Sequence, residues 1–135
     1  MRIMLKKDKK TILIVDDDQD FLFQMKVGIK DMGFEVVTAD TQKEAEDIIR
    51  RMKPDLAILD LMMENQDTGF ILSHKIKSLY PDVPVIIVSA VTAETGMLFD
   101  VTSEEERDWI KADLFLDKGI RMDQLHKEIN KLLKL

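Results

Sequence analysis

The sequence contains no cysteine, which excludes a disulfide framework, a thiolate metal site and a cysteine nucleophile. Long apolar runs are also missing: the longest, such as residues 12–15 and 85–88, fall far short of the roughly 20 residues needed to cross a bilayer. The lysines near the N-terminus are followed by an apolar run that is too short for a signal peptide. We therefore expect a cytoplasmic protein with no membrane insertion.

Proline and glycine are scarce, at 3 and 5 residues, and no repeat or low-complexity linker divides the chain. A length of 135 residues is close to the commonest size of one domain, and folding removes roughly two-thirds of the unfolded surface of such a chain from water. Hydrophobic residues make up 45% and charged residues 34%, which is typical of a globular protein rather than a disordered one. The sequence predicts one domain.

Basic side chains are outnumbered by acidic ones, 20 against 26, for a formal net charge of -6. An acidic chain repels a phosphate backbone, so we expect no direct binding to nucleic acid. The one dense basic stretch, residues 6–10, precedes the first predicted strand, and charge runs of this kind are usually solvated. We interpret residues 1–10 as a basic N-terminal tail and residues 11–135 as the folded domain.

Short apolar runs alternate with longer amphipathic stretches along the chain. The runs predict five buried strands, at residues 11–16, 35–39, 55–60, 85–88 and 114–116. Apolar residues at helical spacing predict five helices, of which the fourth falls in a divided stretch at residues 92–112. Gly33 and Pro54 are the expected stops of the first two helices, and Thr41 with Glu44 has capping-box spacing. This alternation is typical of a parallel sheet covered on both faces.

Polar residues stand at the carboxyl ends of four of the predicted strands. They are Asp16–Asp18 at the end of the first strand, Asp60 at the end of the third, Ser89 at the end of the fourth, and Asp117 with Lys118 at the end of the fifth. In a parallel sheet these strand ends open on one rim, where ligands bind. Carboxylates crowded there repel one another and raise one another's pKa values, a conflict that a divalent cation removes. Oxygen-only ligands suit magnesium, which commonly shares its site with phosphate oxygens.

Together these residues predict a pocket for a phosphoryl group. Lys118 adds a positive charge, Ser89 adds a neutral donor, and an aspartate can act as the covalent nucleophile that forms an aspartyl phosphate. Each residue alone has an ordinary explanation: aspartates after a strand are favoured N-caps of the next helix, and a lone Asp60 at a strand end is common. The occurrence of all four groups at successive strand ends favours the phosphoryl pocket.

Four segments carry a resemblance to a known family: ILIVDDD (12–18), LAILDLMM (56–63), IIVSA (86–90) and ADLFLDK (112–118). They resemble the receiver domain of two-component response regulators, in particular a chemotaxis-regulator-like single-domain receiver. The resemblance covers the chain from Thr11 onward, so residues 11–135 are the expected receiver domain. It implies an α/β, flavodoxin-like fold, that is, a doubly wound five-stranded parallel sheet in the order 2-1-3-4-5.

The resemblance also implies roles for individual residues. Asp60 is the implied phosphoacceptor. The implied ligands of Mg²⁺ are Asp16, Asp17, Asp60 and the backbone carbonyl of Met62. The implied phosphoryl-binding and switch residues are Ser89, Ala90, Lys118 and Phe115. Among these, Phe115 matches the aromatic residue that turns inward on activation in the family.

For function, the resemblance implies a phosphorylation-dependent signalling switch rather than an enzyme, self-dephosphorylation aside. A sensor histidine kinase, or a phosphotransfer protein of a phosphorelay, would donate the phosphoryl group to Asp60. No output domain follows in the sequence, so the signal is expected to leave by contact with a downstream protein partner or by passing the phosphoryl group onward. The expected output surface combines the predicted fourth helix, fifth strand and fifth helix, and a homodimer formed through it is a further hypothesis.

The chain departs from the family pattern at three places. Gly119 stands where the family usually has a proline after the lysine. Glu64 lies near the place of another family proline, and Gly69 comes one residue later than expected, so the loop after Asp60 is expected to be reshaped. The segment between Ser89 and Lys118 is several residues longer than usual, which predicts an unusual signalling surface.

Two other interpretations fit parts of the sequence. One is a small aspartate-nucleophile phosphatase of the haloacid dehalogenase type, because Asp16 and Asp18 imitate its Asp-x-Asp motif. Against it, Asp20 stands where a threonine or valine is expected and no acidic pair follows Lys118. The other is a receiver-like docking module that is not phosphorylated, which Gly119 and the altered loop favour and the intact acidic pocket disfavours.

Overall fold

Five short strands and four helices make up the part of the chain that the computed structural model describes, residues 9–65, 67–90 and 112–135. The strands are β1 (Thr11–Val15), β2 (Glu35–Ala39), β3 (Leu56–Asp60), β4 (Val85–Ser89) and β5 (Leu114–Asp117). The helices are α1 (Gln19–Asp31), α2 (Gln42–Arg51), α3 (Thr68–Leu79) and α4 (Met122–Leu133). Each strand begins and ends within one residue of its predicted bounds. The helical stretch predicted at 92–112 lies, apart from its last residue, outside the described residues.

The strands form one fully parallel sheet in the order β2-β1-β3-β4-β5, which confirms the predicted doubly wound topology. The strand order reverses between β1 and β3, because β2 lies on one side of β1 and β3 on the other. Crevices at such a reversal are where open α/β sheets bind ligands. The register places Asp60 of β3 beside Val88 of β4, and Ser89 beside Asp117 of β5. The carboxyl ends of β3, β4 and β5 are therefore level with one another.

Helices cover both faces of the sheet and produce two apolar layers. Leu13 and Val15 of β1 pack in the layer under α2 and α3, while Ile12 and Ile14 pack in the layer under α1 and α4. This alternation follows from the twofold side-chain period of a strand. All five residues of β3 and of β4 are buried, as expected of central strands that are covered on both faces.

Side-chain caps set the start of α1 and of α2. Asp18 is the N-cap of α1, and its carboxylate accepts hydrogen bonds from the backbone N–H groups of the first turn. Thr41 caps α2 by accepting from Glu44 N at 3.0 Å, which confirms the predicted capping residue. The Glu44 carboxylate accepts from Asp40 N at 2.9 Å, one residue earlier than the ideal capping box requires. Both caps lie at the carboxyl edge of the sheet and hold the helix starts there.

Gly33 ends α1 in the left-handed region, with a φ of +100°, where a residue with a side chain is strained. It therefore acts as the predicted stop. None of the helices in the described ranges is long and apolar enough to span a membrane.

Candidate functional site

Three aspartates meet where β1 and β3 end. One carboxylate oxygen from each of Asp16, Asp17 and Asp60 lies within 4.8 Å of the others. Asp16 and Asp60 are buried, whereas Asp17 is exposed to solvent. Neighbouring parallel strands bring the three together, because Asp16 directly follows β1 and Asp60 is the last residue of β3. The structure thus assembles the acidic cluster that the strand ends predicted.

Lys118, directly after β5, extends its ammonium group into this cluster. Its Nζ lies 2.8 Å from Asp16 Oδ2 and 3.4 Å from Asp60 Oδ2, and its side chain is 18% exposed. The Lys118 backbone N–H donates to the Ser89 carbonyl at 3.1 Å. Gly119 N donates to Asp117 Oδ1 at 2.7 Å, a hydrogen bond that a proline at this position would lack. The lysine is therefore anchored by this turn and by β4, without the usual proline.

The charges of the site do not balance. Burial and the nearby Asp16 carboxylate together raise the pKa of Asp60 to about 6, against the opposing charge of Lys118. Burial also disfavours the charged form of Lys118, but its contacts with Asp16 and Asp60 outweigh this, so the pKa of the lysine lies above its usual value. The site therefore holds one firmly protonated ammonium beside three carboxylates, of which Asp16 and Asp60 are buried and Asp17 is exposed.

This excess of carboxylates suits a small divalent cation. The carboxylates offer oxygen atoms alone, which is the ligand type that Mg²⁺ prefers. Asp16 Oδ2 is buried and accepts no hydrogen bond from the described residues, although the Lys118 ammonium lies beside it. Exposed Asp17 leaves one side of the cluster open to water, which Mg²⁺ retains in its coordination shell. The residues present thus fit the magnesium ion that the sequence predicted.

The remaining predicted residues differ in how far they are exposed to solvent. Ser89 is buried at the end of β4, and Ala90, the next residue, is exposed. Met62 is 40% exposed in the loop after β3. Phe115 is half-buried and packs against the apolar layer under α2 and α3, so it lies on the opposite face of the sheet from α1. The structure brings Ser89 and Lys118 together through their backbones, and it places Phe115 in the apolar layer under α2 and α3.

Asp18 has the ordinary role that was open to all three consecutive aspartates. Its Oδ1 accepts from Asp20 N at 3.0 Å and from Phe21 N at 3.2 Å, and it does not belong to the acidic cluster. Its own N–H donates to Asp16 Oδ1 at 2.9 Å. The helix cap therefore orients the neighbouring site carboxylate, and the capping and site interpretations apply to different residues of the same run.

The loop after β3 is tied down where the sequence lacks the family proline. The Glu64 carboxylate accepts from Gln42 N, the first residue of α2, at 3.1 and 3.3 Å. Gly69 N donates to the Leu61 carbonyl at 2.9 Å. A Cβ at Gly69 would lie 2.6 Å from the Asp60 carbonyl oxygen, so only glycine permits this close approach. Glu64 and Gly69 hold this loop against both α2 and the end of β3.

Sequence analysis missed Phe21 as part of the site. Its ring centroid lies 4.7 Å from Lys118 Nζ, whereas the sequence indicated only an apolar residue of the first helix. The available signal was its position in the first turn after the acidic run, which places it at the same rim of the sheet. Glu64 was noted as a departure, but its partner Gln42 could not be identified without the fold.

Comparison with known proteins identifies a family over most of the chain. Residues 12–130 match the family described as response regulator receiver domain. The transcriptional regulatory protein GlrR of Escherichia coli is 32% identical over 123 residues, which cover 91% of this chain and 26% of GlrR. The chain thus spans about a quarter of the length of this curated relative.

Solved structures show the same fold. A CheY-like response regulator receiver domain protein from Methanospirillum hungatei is 26% identical, with a TM-score of 0.77 over 94% of this chain and 95% of its own. The response regulator TrrA of Thermotoga maritima, solved in complex with Mg²⁺ and beryllofluoride, is 24% identical, with a TM-score of 0.74 over 91% of this chain and 98% of its own.

Proposed function

This chain belongs to the response regulator receiver family of two-component systems, and from that membership we propose that it is a phosphorylation-dependent switch whose phosphoacceptor is Asp60. The observation that carries the proposal is the position of this carboxylate. Asp60 is only 4% exposed, ends β3 at the reversal of strand order, and lies between two further carboxylates and the Lys118 ammonium. A phosphoryl group entering there meets the charges that its transfer requires.

The proposed reaction is attack of an Asp60 carboxylate oxygen on the phosphorus of a phosphohistidine. The new P–O bond forms as the P–N bond breaks, and the imidazole nitrogen keeps the electron pair of the broken bond. The product is an acyl phosphate on Asp60, and the donor is a sensor histidine kinase or a phosphotransfer protein. A pKa of about 6 leaves the Asp60 carboxylate mostly ionised at neutral pH, as a nucleophile must be.

Magnesium is the proposed cofactor, held by Asp16, Asp17, Asp60 and the backbone carbonyl of Met62. When bound, it neutralises charge on the carboxylates and on the phosphoryl oxygens. The chain's own residues provide the rest of the site. Asp16 and Asp60 lie on rigid strand ends, and the loop that carries Met62 is held by the contact of Glu64 with α2.

The switch is proposed to act through residues on β4 and β5. Lys118 would pair with a phosphoryl oxygen, buried Ser89 would donate a hydrogen bond to another, and exposed Ala90 would leave room for the group. Phe115, half-buried against the apolar layer under α2 and α3, would respond to the movement of Ser89. Such a switch shifts only if the phosphoryl group or the partner binds one state better than the other.

The output is proposed to be contact with a downstream protein through the face that includes β5 and α4. Residues 91–111, which make up most of the segment expected to complete this face, lie outside the described residues.

Residues 11–135 are proposed as the receiver domain, residues 1–10 as a basic tail, and the cytoplasm as the location. A homodimer formed through the output face stays a hypothesis. The family match does not support the phosphatase alternative.

A docking module that is never phosphorylated is the second candidate, and the unusual loop is the observation that favours it. Glu64 ties this loop to α2, which is a contact that a purely structural module could also use. The two candidates differ in what Asp60 does. A downstream partner that binds the wild type and Asp60→Asn equally well would favour the docking module.

Intact-mass measurement after incubation with acetyl phosphate tests the proposal. We expect one phosphoryl adduct on the wild type with Mg²⁺, removable by hydroxylamine, and none without the metal or on Asp60→Asn. Asp113→Asn is the matched control, because Asp113 precedes β5 at the opposite edge of the sheet, and it should be modified like the wild type. Lys118→Ala should keep some modification. An adduct of the same yield on Asp60→Asn would contradict Asp60 as the acceptor.

A further inference from the structure

One side of the Lys118 ammonium faces carboxylates and another faces an aromatic ring. Nζ lies 4.7 Å from the centroid of Phe21, inside the range of about 6 Å in which a cation is attracted to the electron-rich ring face. The lysine side chain is 18% exposed, so little water competes for the charge. Such contacts strengthen as they lose solvent, so we expect this one to stabilise the position of the ammonium group.

The ring of Phe21 is itself fixed in place. Its backbone N–H donates to the N-cap carboxylate of Asp18 at 3.2 Å, at the first turn of α1. The side chain is half-buried against the apolar layer under α1 and α4. A cavity of about 70 Å³ lies beside the ring and is lined by Lys118 and Met122 among others. Phe21 and Lys118 therefore line the same cavity.

The other partners of the ammonium group change during the proposed reaction, and the ring does not. Asp16 would hold Mg²⁺, and Asp60 would carry the phosphoryl group, so both carboxylates would alter their charge or position. The next residue, Gly119, has no side chain that could restrain the lysine. Among the contacts described for Nζ, the ring of Phe21 is the one that stays chemically unchanged while a phosphoryl oxygen replaces a carboxylate oxygen.

We propose that Phe21 is a positioning residue that holds the Lys118 ammonium toward the phosphoryl group on Asp60. The inference rests on the proposed function, and it adds a residue of α1 to a site otherwise built from strand ends. Phe21 itself touches neither the phosphoryl group nor the metal. Its effect on phosphoryl binding must therefore pass through Lys118, and this dependence can be measured.

The test is a ¹⁹F NMR titration with beryllofluoride, a phosphoryl mimic, in the presence of Mg²⁺. We expect Phe21→Leu and Phe21→Met to weaken beryllofluoride binding by roughly three- to ten-fold, the range expected for loss of one partly buried cation–π contact. Phe21→Trp and Phe21→Tyr keep an aromatic face and should stay within about two-fold of the wild type. Met122→Leu, which alters the same cavity without touching Nζ, should bind like the wild type.

A double-mutant cycle separates positioning from a structural effect. In a Lys118→Met background, Phe21→Leu should cause no further loss of binding, since the group that it positions is absent. An equal loss in both backgrounds would overturn the inference, as would a Phe21→Trp variant that binds as poorly as Phe21→Leu. Wild-type protein that neither binds beryllofluoride nor accepts phosphoryl from acetyl phosphate would refute the proposed function itself. Normal wild-type binding that is unchanged in Phe21→Leu would refute this inference alone.

Discussion

The two edges of the sheet use aspartate in opposite ways. At the amino edge, where the strands begin, Asp55 Oδ2 accepts from Thr11 N at 2.7 Å. Asp113 Oδ2 accepts from Val85 N, also at 2.7 Å. Each of these aspartates also returns a backbone hydrogen bond to the same partner residue at 2.8 Å. Asp113 also forms an ion pair with Lys77, with 2.8 Å between Oδ2 and Nζ. The amino edge thus joins β1 to β3, and β4 to β5, through carboxylates that are well paired.

At the carboxyl edge, the carboxylates face one another instead of backbone donors. Asp16 and Asp60 are buried and share the ammonium of Lys118, and the exposed carboxylate of Asp17 lies beside them. The amino-edge aspartates are paired with donors, whereas burial and the neighbouring carboxylate disfavour the charged form of Asp60 at the carboxyl edge. The comparison shows that the surroundings of an aspartate, rather than its type, separate a structural carboxylate from a functional one.

Removing the charge of Asp60 should have the largest effect on stability. The rise in the Asp60 pKa from 3.8 to about 6 corresponds to about 3 kcal/mol of destabilisation when the group is ionised. Since the amide also loses the Lys118 ion pair, we expect Asp60→Asn to raise the free energy of unfolding by roughly 1–3 kcal/mol at pH 8 without Mg²⁺. Urea unfolding measures this quantity. The same substitution at the amino edge, Asp55→Asn, should not stabilise the protein, and a gain there would break the comparison.

The stability of the metal-free protein should depend on pH through the titration of Asp60. Because the folded state holds the Asp60 proton more tightly than the unfolded state, its contribution to stability is greatest below pH 3.8 and is lost as the pH rises to about 6. Over this window the wild type should lose up to about 1.4 kcal/mol per pH unit relative to Asp60→Asn. Urea unfolding at several pH values gives the difference. A difference that is constant with pH would exclude Asp60 as its source.

Breaking an amino-edge pair should destabilise the fold without touching the site. In Asp55→Ala, the Thr11 N–H loses its carboxylate acceptor, so the free energy of unfolding should fall by about 2 kcal/mol. Beryllofluoride binding with Mg²⁺ should not change. A matching loss of beryllofluoride affinity would mean that the two edges are coupled through β1 and β3 and do not have separate roles.

Magnesium should stabilise the carboxyl edge alone. At ten times the dissociation constant, a ligand that binds only the folded state adds about 1.4 kcal/mol to the free energy of unfolding. This gain should vanish in Asp17→Asn and persist in Asp55→Asn, and thermal unfolding with and without Mg²⁺ reports both. Sodium chloride at equal ionic strength controls for screening of the surface charge. Equal metal stabilisation of Asp17→Asn and wild type would remove Asp17 from the proposed site.

The smallest effect should come from the structural aspartate inside the acidic run. Asp18→Ala loses the N-cap of α1 and should lower the free energy of unfolding by about 1 kcal/mol. The phosphoryl adduct from acetyl phosphate should still form, in contrast to Asp60→Asn. Loss of the adduct in folded Asp18→Ala would show that the capping aspartate is needed for phosphorylation as well as for the helix start.

Much of the fold could be predicted because local patterns report local backbone geometry. The strands were predicted within one residue, Gly33 was predicted as a helix stop, and Thr41 as a cap. The carboxylates of the site were also predictable, because parallel strands place their ends on one rim. Contacts between distant parts of the chain were not. The pairing of Glu64 with Gln42 and the approach of Phe21 to Lys118 depend on how helices and loops pack, which no local pattern encodes.

By itself, the sequence determined the alternation of strands and helices, the composition of the acidic rim, and the residues that start and end the first helices. Only the tertiary structure decided which carboxylates are structural. Asp18 and Asp55 resemble Asp17 and Asp60 in sequence, as acidic residues beside strands, yet they differ in the backbone N–H groups within reach. Charge and hydrogen bonding act over a few ångströms, and those distances exist only once the strands are aligned in the sheet.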